Sequence, residues 1–271
     1  MKVLALDFDG VICDSSREVF TVGLRTWAAL EPGSTLSADH PLSDPAQAPQ
    51  QHRFEEDSLF RAFAGLTPLG NRAEDFGVAL RIIDLGLEVT GQAEYDAVRA
   101  TCDRPWLEAF HHRFYQERAT LRERSLRDWL ALQRPYPPFT DLLRRRRGDA
   151  TLAIVTAKDR ESVRLLLAAH GLDNLFPPEL VLDKETGVHK TAHLEALRTR
   201  LGTDFSHITF VDDKVNHLQR VSGLGVRPVL ACWGLNTPRE HDLARRLGYA
   251  TATLDTAEDV LFGRAPLASS D

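Results

Sequence analysis

The chain has 271 residues, 43% of them hydrophobic and 27% charged, and a net charge of −6. This is the balance of a globular protein rather than a disordered one, and its acidic excess gives no general attraction for nucleic acid or an anionic membrane. The length exceeds the ~100 to 200 residues of one ordinary domain, so one large domain or a core carrying an inserted module are both expected.

The first element is an apolar strand, "KVLALD" (Lys2 to Asp7), which ends in acids: Asp7, then Asp9 after Phe8. Those acids interrupt the apolar run before it could serve as a signal peptide, and no later run approaches the ~18 residues of a membrane span. Cys13, Cys102 and Cys232 form an odd set without zinc-type spacing, which fits a reduced, cytoplasmic protein better than a disulfide framework.

From Ser16 to about Gln133 the pattern is helical, as in "SREVFTVGLRTWAAL", "RFEEDSLFRAFAGL", "EDFGVALRIIDLGL" and the long stretch from Trp106 to Leu132. The segment Glu31 to Gln51, rich in Pro, Ser and Ala, reads as a mobile loop. "RPYPPF" (Arg134 to Phe139) reads as a return linker, and the basic run Arg144 to Arg147 as a solvated helix end.

The rhythm then changes to short apolar strands at Thr151 to Ala157, Glu179 to Asp183, His207 to Asp213 and Arg227 to Cys232. Helical patterns alternate with them, each with a Gly near its end. The expected fold is α/β: a doubly wound, Rossmann-like parallel sheet core formed by residues 1–15 and 136–271, with residues 16–135 as an inserted α-helical domain.

Open parallel sheets bind ligands beyond the carboxyl ends of their strands, and Asp7, Thr156 and Asp212 all fall at such ends. One Asp after a strand is most often a turn or cap former. The pair Asp7 and Asp9 followed by Gly10 is harder to dismiss, because buried acids without a partner are costly; a cation or a phosphate ligand accounts for them.

At these residues the chain resembles the haloacid dehalogenase superfamily, whose members are mostly phosphatases. "DFDGVICDS" matches its first motif, Thr156 ends "LAIVT", Lys190 lies in "GVHKTAHL", and "FVDD" supplies the last acidic pair. The four occur in family order and span the core, and the helical insertion corresponds to a type 1 cap, as in phosphoglycolate phosphatases.

The resemblance implies a magnesium-dependent phosphatase acting on a small phosphorylated metabolite. Asp7 is the nucleophile that forms an aspartyl-phosphate, and Asp9 the general acid and base. Mg2+ is held by the carboxylates of Asp7 and Asp212 and the backbone carbonyl of Asp9. Thr156, Ala157 and Lys190 bind phosphate, with Lys158 and Lys184 as weaker candidates for the cationic role. Asn216 stands where some relatives place an acid; Asp213 is taken as its replacement at the metal, and which of the two lies nearer stays open. In the insertion, Asn71 and Arg72 are candidate leaving-group contacts, set against Arg72 as a surface partner of Asp75. Phosphomutase chemistry and a non-catalytic phosphate-binding protein are the alternatives. Dehalogenation and phosphonate cleavage fit less well, the second because the insertion has almost no Lys.

Overall fold

The structure, a computed structural model, describes residues 2–38, 40–70, 72–187 and 189–263. The chain divides into two compact units, Met1–Asp14 with Pro135–Asp271, and Ser15–Arg134.

The first unit is built on one parallel sheet. Its strands are β1 (Val3–Leu6), β2 (Thr151–Val155), β3 (Val181–Leu182), β4 (Ile208–Asp212), β5 (Arg227–Ala231) and β6 (Ala250–Ala252), in the order β3-β2-β1-β4-β5-β6. β1 is central and wholly buried, which is why it is apolar at every position rather than alternating. Val3 and Ala5 join a cluster with Leu194, Leu197, Leu218 and Val221 from the helices Lys190–Leu201 and Val215–Ser222. By alternation, Leu4 and Leu6 point to the opposite face. Each such buried leucine contributes about 2 kcal/mol by removal from water.

The strands stop one or two residues earlier than their apolar runs suggest. Asp7, Thr156 and Asp213 therefore lie just past the ladder, in the turns at its carboxyl edge. Strand β6 was not read from the sequence; "ATA" is too short and too weakly apolar to signal one. Where the chain leaves and rejoins this unit, the N–H of Tyr136 donates to the carbonyl of Ile12 at 3.1 Å.

The second unit is helical, with its main helices at Ser16–Leu30, Ser58–Leu66, Ala73–Asp84, Gln92–Ala100 and Arg104–Arg124. Its core is aromatic, with Phe20, Phe63, Phe110, Phe114 and Trp129 fully buried. Gly77 permits a close helix approach, since a Cβ there would stand 2.7 Å from the Phe110 ring. Within that core, Glu18 accepts two hydrogen bonds from Arg118, at 2.6 and 2.9 Å, so its buried charge is compensated. The segment read as a mobile loop is organised as short helical turns at Thr35–Ala38, Pro41–Ser43 and Pro49–Gln51. Arg25 ties it down by donating to the carbonyls of Leu42, Asp44 and Gln47. Composition alone could not anticipate that a buried arginine of the preceding helix anchors it. Among the described residues, no helix is long and apolar enough to cross a membrane.

Candidate active site

Strand register brings the first two acids together. β1 pairs in parallel with β4, with Leu6 opposite Val211, so the next step sets Asp7 beside Asp212. On the other side Leu6 pairs with Ile154, which places Asp7 level with Val155, one residue before Thr156. Thus Asp7, Thr156 and Asp212 gather at one edge of the sheet because three parallel strands end together.

Lys190 opens the helix Lys190–Leu201 and is buried. Its ammonium lies 2.8 Å from Asp7 Oδ1 and 3.3 Å from Asp212 Oδ2, and it donates to the Val155 carbonyl at 2.7 Å. Three acceptors around three protons fix the ammonium in place. Burial would lower the Lys190 pKa, but the two carboxylates outweigh it and raise it, so Lys190 stays charged. The Phe8 N–H also donates to Asp7 Oδ1, at 2.7 Å, so this carboxylate is oriented before any substrate arrives.

The two acids have different proton affinities. Burial pushes Asp7 up to about 7; Lys190 opposes that rise, and the nearby negative charge of Asp212 adds to it. For Asp212, burial is outweighed by His217 and Lys190, which hold it well below the usual carboxylate range. His217 Nδ1 lies 3.0 and 3.1 Å from the two Asp212 oxygens. Burial lowers the pKa of His217 itself, so near neutral pH it serves mainly as an uncharged N–H donor while Lys190 carries the permanent charge. Sequence reasoning missed His217. Its only signal was its place five residues after Asp212, in the first turns of the next helix, where a lone histidine is ordinarily surface.

Lys158, weighed from the sequence as a lesser candidate, is buried, and its ammonium lies 2.9 Å from Asp9 Oδ1. The backbone N–H of Lys158 donates to Thr156 Oγ1 at 3.2 Å, which orients that hydroxyl. The site therefore holds two buried lysines, one on each acid of the first motif. Ala157 lies between Thr156 and Lys158 in this turn and is exposed. Lys184 is half-buried.

Asp213 does not join the Asp7–Asp212 pair. Its Oδ2 accepts the Leu235 N–H at 2.8 Å, and the side chain packs between Gly10 and Gly234. A Cβ on Gly10 would stand 2.1 Å from that oxygen, and Gly10 has a left-handed φ of +78°, so both space and backbone require glycine there. Burial and the neighbouring Asp212 raise Asp213 well above the ordinary range. Asn216, in the first turn of the helix that follows, has a buried Oδ1 without a hydrogen-bond partner.

This donor set suits a hard divalent cation. Asp7 and Asp212 offer oxygen ligands, their ligand atoms and that of His217 lie within 4.8 Å of one another, and Asn216 adds an unpartnered oxygen. Asp7 is raised chiefly by burial and further by Asp212, and a cation beside it would offset both.

In the other unit, Arg72 is half-exposed. Its backbone N–H donates to Asp75 Oδ2 at 3.1 Å, starting the helix Ala73–Asp84, and its guanidinium reaches Glu74 only at 4.0 Å. Asn71 lies outside the described residues.

Comparisons with known proteins bear on the fold and the family. No curated protein matches the chain by sequence. Among solved structures, a haloacid dehalogenase-like family hydrolase from Streptococcus pneumoniae superposes with a TM-score of 0.64 at 12% identity, over 96% of this chain and 98% of that one. A predicted phosphoglycolate phosphatase from Haemophilus somnus gives 0.59 at 18% identity, over 96% and 97%. A predicted phosphatase from Clostridium acetobutylicum gives 0.57 at 11% identity, over 97% and 99%. These likenesses carry the fold. The sequence model for haloacid dehalogenase-like hydrolases matches residues 1–219, the span that holds the acids at the strand ends and both buried lysines, and the chain belongs to that family.

Proposed function

We propose that the protein is a Mg2+-dependent phosphoric monoester hydrolase acting on a small phosphorylated metabolite through an aspartyl-phosphate. The observation that carries this reading is the adjacency of Asp7 and Asp212 with the Lys190 ammonium against both. The names of the similar structures, two of them phosphatases, point the same way. We read it as a cytoplasmic enzyme on its odd cysteine count without zinc-type spacing.

In this scheme Asp7 attacks phosphorus; an Asp7–phosphorus bond forms as the bond to the leaving oxygen breaks. Lys190 and the Thr156 hydroxyl, with the backbone at Ala157, hold the equatorial oxygens of the transferring phosphoryl group and offset their charge. Asp9 gives its proton to the leaving oxygen, then takes one from the water that attacks phosphorus and frees Asp7. Lys158 fixes Asp9 Oδ1, leaving Oδ2 to exchange the proton. Asp7, Asp212 and the Asp9 carbonyl would hold the Mg2+, with Asn216 favoured over Asp213 as the further donor because Asp213 is committed to Leu235. The cation supplies charge that lets the Asp7 carboxylate approach an anionic phosphate. We read the helical unit, Ser15–Arg134, as the cap that contacts the leaving group, with Arg72 and Asn71 as its candidate contacts.

The test is hydrolysis of an aryl phosphate by the purified protein with Mg2+, alongside Asp7→Asn. Turnover by the wild type that is lost in Asp7→Asn, with circular dichroism unchanged, is the expected result. Substantial activity in Asp7→Asn, without reversion to Asp, would sink the covalent mechanism.

A further inference from the structure

Away from the strand-end site, three side chains of the helical unit converge without any role in the proposed chemistry. His40 Nε2 lies 3.0 Å from Asp57 Oδ2, and His52 Nε2 lies 2.8 Å from the same oxygen. All three are largely buried, and their ligand atoms lie within 4.8 Å of one another. The geometry points to a second metal site here, selective for a borderline ion of the Zn2+ class and held by His40, His52 and Asp57.

The ligand chemistry separates this site from the first. Two imidazoles and one carboxylate are the donor set of three-ligand zinc sites, which keep a fourth position for water, whereas Mg2+ prefers oxygen alone. The two imidazole–carboxylate spacings are close to what zinc needs. Tetrahedral ligands at ~2.0 to 2.1 Å stand about 3.3 Å apart, so the observed 2.8 and 3.0 Å must open by only a few tenths of an ångström.

The groups are also held from behind. Asp57 Oδ1 accepts the N–H groups of Leu59 and Phe60 at 2.8 and 3.2 Å, so the start of the helix Ser58–Leu66 aims Oδ2 at the two rings. The ring of Phe20 packs edge-on to His40, and that of Phe54 edge-on to His52. Such supports orient the ligands before metal arrives. Burial would raise Asp57, but hydrogen bonds from His52, the Phe60 N–H and His40 lower it, so it is ionised near neutral pH. His52 also lines a cavity of about 330 Å³.

Metal binding requires each ring to move its proton from Nε2 to Nδ1. For His40 this turns Nδ1 from acceptor to donor, so the Leu42 N–H that it accepts at 3.2 Å must turn aside as the ion binds. The ion would tie residue 40 to residues 52 and 57, fastening the segment that Arg25 anchors from its other side.

The experiment uses the full chain carrying Asp212→Asn, so that the strand-end acids do not compete, with and without His52→Gln, and with His40→Gln as a second variant. Zn2+ at ~100 times its Kd is expected to raise the unfolding midpoint of Asp212→Asn by about 5 °C or more. Co2+ is expected to give the visible bands of a four-coordinate nitrogen-ligated ion. Both signals should vanish in either histidine variant while far-ultraviolet circular dichroism is unchanged. No zinc shift in Asp212→Asn, or a shift that survives both histidine substitutions, overturns the site. Should neither histidine variant fold, absence of the cobalt bands in Asp212→Asn alone would overturn it.

Discussion

Lys158 Nζ lies 2.9 Å from Asp9 Oδ1 across 149 positions of sequence, and both groups sit in turns at the carboxyl edge of the same sheet. If Asp9 exchanges protons with the leaving group and with water, Lys158 is the residue that sets its position. Methionine at 158 keeps most of the buried volume and removes the charge. Lys158→Met is expected to lower kcat by roughly 10²-fold, the scale of a misplaced proton donor. The loss should be larger for an alkyl phosphate, whose leaving oxygen needs the proton, than for an activated aryl phosphate. Equal losses on both substrates would remove Asp9 positioning as the role of Lys158.

Asp7 supplies a pH dependence with a definite sign. Its folded pKa, pushed up to about 7, lies above the 3.8 of a free side chain. The native state therefore holds this proton more tightly than the unfolded state. The stability it contributes is complete below about pH 4 and is lost as pH rises towards 7. A cation bound to Asp7 needs the ionised form, so Mg2+ binding near pH 7 should release part of a proton and tighten as pH rises from 6 to 8. Calorimetry in buffers of different ionisation enthalpy measures that release; a binding heat independent of buffer would remove Asp7 as a ligand.

Gly10→Ala should be severe. A left-handed φ costs an alanine about 1 to 2 kcal/mol, and its Cβ would meet Asp213 Oδ2 at 2.1 Å, backed by Gly234. A loss of at least about 2 kcal/mol in urea unfolding is expected. Gly33→Ala, where a Cβ meets nothing within 4 Å, is the control and should fall within about 0.5 kcal/mol of wild type.

Arg72 separates a substrate contact from a surface charge. Its guanidinium is half-exposed and only 4.0 Å from Glu74, so Arg72→Ala should change stability by less than about 1 kcal/mol. If it meets the leaving group, KM for a natural substrate rises while an aryl phosphate is unaffected. Loss of both activities together, or of neither, would leave Arg72 as a helix-start residue alone.

Much of this protein was legible in one dimension because its chemistry is local in sequence. The acids follow apolar strands directly, so Asp7, Asp9, Thr156 and Asp212 announce themselves by where each strand must stop, and a parallel sheet sends all those stops to one edge. Lys190 was marked by the family resemblance, since a lysine at a helix start is by itself ordinarily a surface one. What the sequence left open depended on side-chain direction across long separations. Nothing in "FVDDKVNHL" says that Asp213 turns to Gly10 and Leu235 while His217 turns back to Asp212, because a rotation of one side chain decides it and the decisive neighbours lie in distant turns. The burial of Lys158 against Asp9, and the meeting of His40, from a segment that composition gives as mobile, with His52 and Asp57 beyond its end, were decided in the same way, by packing that brings charge and its partner out of water together.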